Sequence, residues 1–133
     1  DITHYRHWDE DIEQNISFEA AKLRNLATEL LVAKSMGTLV ATTAYVFASF
    51  VPKQAVFIGT PLWCFNTEFL ELFAHFVNNV PTLFIQQTAD FNGSYKELDS
   101  IVKSFAMGKT YEVPGNDHFY GNINELWIGI GSF

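Results

Sequence analysis

Three residues whose side chains can together attack a carbonyl group occur in the chain order Ser35, Asp90, His118. A serine hydroxyl is too weakly acidic to attack a carbonyl unaided, so it needs a base within hydrogen-bond reach and a third group that orients the base. Serine, histidine and aspartate can fill these three roles. The sequence therefore offers a nucleophile, an acid and a base, provided that the fold brings them together.

Ser35 lies between two apolar segments of different length. Residues 30–33 form a short run of strand length, and residues 36–50 form a longer run with the length of a helix. A tight turn between a strand and a helix strains the serine backbone and needs small residues two positions before and after it, which Ala33 and Gly37 provide. A serine after a strand is more often a helix cap, but the small neighbours and the two downstream loops favour a nucleophile here.

Asp90 and His118 each follow a strand candidate. Asp90 comes after the run at residues 82–86, in a segment rich in turn-forming residues where an ordinary turn aspartate is also expected. His118 comes after a strand predicted at residues 110–113 and could simply cap a loop. The joint occurrence of all three residues, each after a strand candidate, favours a shared site.

From about residue 18 to about residue 120 the chain resembles the α/β-hydrolase superfamily. In that superfamily the nucleophile elbow reads Gly-x-Ser-x-Gly, and the acid and the histidine follow in that order. Residues 33–37 resemble the elbow, with alanine in place of its first glycine. Residues 86–90 resemble the Gly-x-x-Asp of the acid loop, with glutamine where glycine is common, and residues 115–119 are close to Gly-x-x-His.

The resemblance implies a serine hydrolase that cleaves carboxylic esters or thioesters, with short acyl chains preferred, through an acyl-enzyme. Ser35 would be the nucleophile, His118 the base and Asp90 the acid, and the backbone N–H of Met36 would stabilise the oxyanion. A small-molecule ester is the expected partner, and neither a cofactor nor a metal is implied. The residues expected as apolar walls of the substrate pocket are Trp63, Phe65, Phe91, Phe119 and Tyr120.

The segment before Ser35 is shorter than the corresponding part of the superfamily. Only about thirty residues precede the serine, with one strand candidate at residues 2–7. The second oxyanion donor could come from the turn after residues 3–8, from the loop at residues 59–63, or be absent, and a missing donor costs about 3 to 4 kcal/mol of transition-state stabilisation. The competing hypothesis is therefore a hydrolase-like fold that has become a weakly active or inactive binding or interaction module.

The remaining pattern alternates strands and helices. Ser17 is predicted to cap a helix that runs to about Thr28, residues 55–59 read as a buried strand, and Ser94 with Glu97 forms a capping box. We predict one α/β domain over residues 1–133. Its architecture would be a three-layer, doubly wound and mostly parallel sheet of about five strands, which is a minimal α/β-hydrolase-like core.

Composition limits the partners and the compartment. Of the 133 residues 48% are hydrophobic, and the net charge of −7 disfavours nucleic acid and anionic membrane surfaces. Cys64 is the sole cysteine and is expected to pack as a small core residue, and its isolation fits a reducing, cytoplasmic setting. Residues 30–51 could be mistaken for a membrane span, but Lys34 interrupts them and a strand, elbow and helix explain their length better.

Histidines other than His118 carry no clear signal. His4 and His7 have a metal-ligand spacing only on a helix, and their segment looks extended, so a structural role is expected. His75 lies on an apolar helix and is expected to pack.

A homodimer is expected from the apolar ends of the chain. An exposed sheet edge around residues 2–8, or the apolar tail at residues 127–133, would be buried in a twofold contact. In the alternative, the tail folds back over the sheet and the acidic segment at residues 9–13 masks the edge.

Overall fold

A four-stranded parallel sheet forms the centre of the computed structural model, which describes Ile2 and residues 15–133. Neighbouring strands are also consecutive along the chain, and each pair is parallel. The predicted α/β class with a parallel sheet is therefore confirmed. Of the strand predicted at residues 2–7, all but Ile2 lies outside the described residues. The strands are β1 (Ala27–Lys34), β2 (Val51–Ile58), β3 (Thr82–Gln87) and β4 (Gly108–Val113).

Helices cover both faces of this sheet. Three of them connect consecutive strands and share one apolar cluster, which a further helix before β1 extends. The last helix packs against β3 and β4 in a second cluster on the opposite face. The layers are therefore helix, sheet and helix. The helices are α1 (Ile16–Ala21), α2 (Met36–Phe47), α3 (Thr67–Asn79), α4 (Tyr95–Val102) and α5 (Ile123–Gly131), with a 3₁₀ turn at Leu62–Cys64.

Phenylalanine rings fill the larger cluster. Phe73 of α3 meets Phe84 of β3 edge to face, with ring centroids 5.5 Å apart, and Phe57 of β2 stacks on Phe76 at 5.2 Å. All four rings are fully buried. Aromatic pairs in these arrangements contribute beyond their buried area, so the cluster fixes α3 on the sheet.

The apolar carboxyl end folds back over the sheet. Leu126, Ile130 and Phe133 pack against the second cluster, whereas Trp127 is 66% exposed. Val32 of β1, an outer strand of the described sheet, is also exposed. The edge expected around residues 2–8 lies, apart from Ile2, outside the described residues, so the homodimer stays a prediction.

The first helix differs from its prediction. Asn15, and not Ser17, caps it, because the Asn15 side chain accepts the Phe18 N–H. The helix ends at Ala21 rather than near Thr28, since the chain turns at Asn25 with a positive φ of 59° and then enters β1. Local capping and a left-handed turn residue, neither of which apolar periodicity reveals, set these bounds.

Other local predictions are confirmed. Ser94 and Glu97 form the capping box at the start of α4, and the hydrogen bonds from Ser94 lower the pKa of the Glu97 carboxyl. The apolar stretch at residues 30–51 forms the end of β1, a turn and α2.

Within the described part of the chain, no helix has the length and apolarity needed to cross a membrane.

Replacing Phe73 with alanine should remove the centre of the aromatic cluster. We expect Phe73→Ala to lower the free energy of unfolding by about 3 to 5 kcal/mol, because the substitution leaves a cavity and the surrounding side chains lose their contacts with the ring. Phe47→Ala is the matched control, since Phe47 is 65% exposed and its removal should cost less than about 0.5 kcal/mol. Urea unfolding of the two variants tests the difference, and equal losses would contradict this account of the core.

Candidate active site

Three loops leave the same edge of the sheet. Ser35 directly follows β1, Asp90 comes shortly after β3, and His118 comes after β4. Because parallel strands all end at the same edge, these loops meet in one crevice. The three residues predicted from the sequence are thereby brought together, in a continuous chain of hydrogen bonds.

Ser35 has a strained backbone and a side chain that does not cap the following helix. Its φ of 50° and ψ of −120° lie in a region that residues other than glycine rarely adopt. The Ser35 N–H donates to the Ile58 carbonyl at 2.9 Å, which ties the turn to β2. Its hydroxyl makes no capping bond to α2 and instead lies 2.8 Å from His118 Nε2. Helix capping therefore does not explain this serine.

The other ring nitrogen of His118 meets Asp90. His118 Nδ1 lies 2.8 Å from Asp90 Oδ2, and the Asp90 side chain is fully buried while that of His118 is 13% exposed. The second carboxylate oxygen, Asp90 Oδ1, accepts the Asn92 N–H at 2.8 Å. With Nδ1–H donated to the carboxylate, Nε2 is free to accept a proton from Ser35.

Asp117, the acid next to His118 in sequence, points elsewhere. Its Oδ1 accepts the Gln87 Nε2–H and the Phe119 N–H, both at 2.9 Å. These bonds lower the pKa of the exposed Asp117 carboxyl. Asp117 therefore shapes the histidine loop, whereas Asp90 contacts the imidazole.

Gln86 connects the two loops that flank β3. Its side-chain oxygen accepts the Thr60 N–H at 2.9 Å, and its amide donates to the carbonyls of Thr60 and Gly93. Gln86 is fully buried, so all of these bonds form away from water. The loop after β2 and the acid loop are thus held at a fixed separation.

Gln87 and Tyr120 hold the histidine loop, a role that the sequence pattern predicts for neither residue. Gln87 Oε1 accepts the His118 N–H at 2.9 Å. Tyr120 is buried, and its hydroxyl donates to Asp90 Oδ2 at 2.7 Å while accepting the Gln87 N–H at 2.8 Å. A signal for the glutamine was present, because an amide at the end of an apolar strand must find hydrogen-bond partners when buried.

The candidate segments differ in whether they have a backbone N–H available to bind an oxyanion. Met36 is the first residue of α2, where the N–H has no partner within the helix. In the loop at residues 59–63 every N–H already donates: Gly59 to Ile85, Thr60 to Gln86, Leu62 to Thr60 and Trp63 to Asn92. That loop therefore offers no second donor in this conformation, and the turn after residues 3–8 lies outside the described residues.

The aromatic residues expected to line a substrate pocket fall into two groups. Trp63, Phe91 and Phe119 are each more than 70% exposed, and the Phe91 ring lies 5.7 Å from the His118 ring. Phe65 is different, because it packs against Phe69 and Phe73 in the large cluster. Tyr120, as described above, lies beneath the site with its hydroxyl on Asp90.

No group of three potential metal ligands occurs among the described residues. His75 lies beside Tyr45, with ring centroids 5.7 Å apart, while His4 and His7 lie outside the described part of the chain. Burial raises the pKa of the Cys64 thiol, which disfavours its thiolate and hence a nucleophilic role.

Comparisons with known proteins bear on the fold. No family model matches the chain, and no curated protein sequence matches it. Among solved structures, one described as a thermophilic esterase is similar, with a TM-score of 0.58 and 14% sequence identity. The match covers 91% of this chain and 73% of that chain. At this identity the likeness shows the α/β fold alone.

Changing Gln86 to glutamate should test the connection between the two loops. The substitution keeps the shape and the acceptor but removes the donors to Thr60 and Gly93 and buries a charge, so at pH 7 we expect a loss of about 3 to 5 kcal/mol of unfolding free energy. Burial raises the folded-state pKa of the new carboxyl, so the loss should shrink as pH falls through that raised value toward the ordinary value of about 4.3.

The control for this variant is Gln54→Glu, at an exposed position of β2. It should change stability by less than about 0.5 kcal/mol at either pH. Chemical unfolding at pH 7 and pH 5 measures both variants. A loss of stability in Gln86→Glu that does not change with pH, or that equals the loss in Gln54→Glu, would argue against the connection of the two loops by Gln86.

Proposed function

We propose that this chain is a serine hydrolase that cleaves carboxylic esters or thioesters through an acyl-enzyme. The observation that carries the proposal is the unbroken hydrogen-bond chain from Ser35 Oγ through His118 to Asp90, with both contacts at 2.8 Å. The strained backbone of Ser35 supports it, because such strain persists only where the surrounding structure imposes it, and it clusters at functional sites.

In the first half of the reaction Ser35 Oγ attacks the acyl carbon. His118 Nε2 takes the hydroxyl proton as the new C–O bond forms, and Asp90 stabilises the imidazolium through Nδ1. The oxyanion of the tetrahedral intermediate is placed at the Met36 N–H. When the C–O or C–S bond to the leaving group breaks, His118 returns the proton to the departing alcohol or thiol.

The second half releases the acid. Water attacks the acyl carbon of the ester on Ser35 while His118 Nε2 takes its proton. The tetrahedral intermediate collapses, the bond to Ser35 Oγ breaks, and the proton passes from His118 to that oxygen. The free carboxylic acid leaves and the enzyme regains its starting state.

We expect small substrates with short acyl chains. Phe91 and Phe119 lie on the acid and histidine loops and Trp63 on the 3₁₀ turn after β2, each with most of its area in solvent. They can cover an acyl chain from the side, and their exposure leaves the approach to His118 open. Apolar contact of this kind favours an uncharged acyl group.

A weakly active or inactive binding module is the second candidate. The engaged N–H groups of the loop at residues 59–63 favour it, because they leave Met36 as the oxyanion donor among the described residues. Loss of one donor slows a hydrolase by about 10²- to 10³-fold but does not abolish its activated serine. Labelling by a fluorophosphonate, which needs that serine, separates an active hydrolase, fast or slow, from an inactive binding module.

The nucleophile can be tested directly. Ser35→Ala should abolish fluorophosphonate labelling and lower the turnover of p-nitrophenyl acetate by up to about 10⁶-fold, because the attacking atom is gone. Ser104→Ala, in the exposed turn after α4, is the matched control and should label and turn over like the wild type. A Ser35→Ala protein that keeps most of its activity would refute the proposal.

The acid can be distinguished from its neighbour in the sequence. Asp90→Asn should slow turnover by about 10⁴-fold, because the amide favours the wrong imidazole tautomer. Asp117→Asn keeps an oxygen that accepts from Gln87 and Phe119, so its effect should be small. Steady-state kinetics with a series of p-nitrophenyl esters measures both, and the reverse ranking would exclude the assignment of Asp90.

A further inference from the structure

Tyr120 has a position that apolar packing does not explain. Its hydroxyl is buried, yet it makes two hydrogen bonds: it donates to Asp90 Oδ2 at 2.7 Å and accepts from the Gln87 backbone N–H at 2.8 Å. Burial, with the Asp90 carboxylate next, raises the pKa of this phenol well above its usual range. The group therefore remains a donor across the pH range in which esterases work.

Tyr120 and His118 share one oxygen of the acid. Asp90 Oδ2 accepts from the tyrosine hydroxyl and faces His118 Nδ1, whereas Oδ1 accepts from the Asn92 N–H. A carboxylate held on only one oxygen can rotate about its side-chain bond. With both oxygens held by the protein, Oδ2 stays aimed at the imidazole, so the ring keeps one tautomer and one orientation.

The tyrosine ring is itself fixed. A Cβ atom at Gly59 would lie 2.6 Å from Tyr120 Cε2, so the ring lies directly on the backbone of that glycine. Gly59 has a φ of 62°, which the turn after β2 requires. On another side the Lys34 ammonium lies 5.9 Å from the ring centroid. These contacts fix the ring and thereby the position of its hydroxyl beside Asp90 Oδ2.

We propose that Tyr120 is a positioning residue that acts through Asp90, holding the carboxylate in the orientation that fixes the Nδ1–H tautomer of His118. The proposal rests on the proposed hydrolase function and adds a fourth side chain to its three. It also replaces the role expected from the sequence, since a pocket wall would touch substrate and a positioning residue does not.

Tyr120→Phe is the first test, because it removes one oxygen and keeps the ring. A hydrogen bond to a charged group has a strength that corresponds to about 10- to 100-fold in rate, so kcat for p-nitrophenyl acetate should fall by that factor with KM unchanged. Tyr111→Phe, which removes a hydroxyl from a half-buried tyrosine of β4 in the same cluster, is the matched control and should behave as the wild type. A raised KM with unchanged kcat would instead make Tyr120 a pocket wall and overturn the proposal.

A double-mutant cycle separates positioning from general damage. If Tyr120 acts through Asp90, adding Tyr120→Phe to Asp90→Asn should cause no further loss of turnover, because the orienting carboxylate is already gone. Losses that multiply would show an independent structural effect and overturn the proposal.

Replacing Tyr120 with 4-aminophenylalanine restores an N–H donor at the same place and should recover most of kcat even if the phenylalanine variant folds poorly. A 4-aminophenylalanine protein that is folded but as slow as Asp90→Asn would also count against the proposal.

The ¹⁵N chemical shifts of the His118 ring distinguish failure of this proposal from failure of the proposed function. If the wild type neither labels nor hydrolyses esters, the hydrolase proposal fails, but the shifts still report the His118 tautomer. They should indicate a proton on Nδ1 in the wild type and in Tyr111→Phe, and a mixture of tautomers in Tyr120→Phe. Identical shifts in all three proteins would overturn the positioning role whatever the activity.

Discussion

The hydrogen bonds of two consecutive glutamines at the end of β3 hold three loops of the candidate site together: the loop after β2, the acid loop and the histidine loop. Successive residues of a strand point to opposite faces, so Gln86 and Gln87 reach in different directions. Gln86 holds the loop after β2 to the acid loop, and Gln87 holds the histidine loop through the His118 N–H and the Asp117 carboxylate. Both side chains are buried, where an unmade hydrogen bond is costly, so the loops have little freedom to move apart.

The hydrogen bonds that hold the loops also impose strained backbone conformations at the site. Ser35, His118 and Tyr120 all have positive φ values, and none of them is glycine. Each such conformation costs about 1 to 3 kcal/mol and persists only when its surroundings impose it. At Ser35 the imposing contacts are the hydrogen bond to β2 and the start of α2, and at the histidine loop they are the side chains of Gln87 and Asp117. The energy that holds the site together thus comes from the core and from buried amides.

The sequence predicted the parallel α/β architecture and the three residues that the loops bring together. These follow from short-range signals: apolar runs of strand and helix length, small residues around Ser35, and turn residues after two strands. The sequence did not predict the cap at Asn15, the end of α1 at Ala21, or the roles of Gln87 and Tyr120. Tyr120 is predicted as a pocket wall because its ring is apolar. The hydrogen bond from its hydroxyl to Asp90, a residue 30 positions away in the sequence, becomes visible only in the fold.

The contact between Ser35 and His118 joins residues 83 positions apart, from opposite edges of the sheet formed by β1 to β4. Contacts over such separations close large loops, and they form only after the intervening strands have paired. The hydrogen bond at the centre of the site is therefore among the most non-local in the described chain. During refolding, secondary structure would return before this contact does, so recovery of a reactive serine would report the completed sheet rather than the first collapse of the chain.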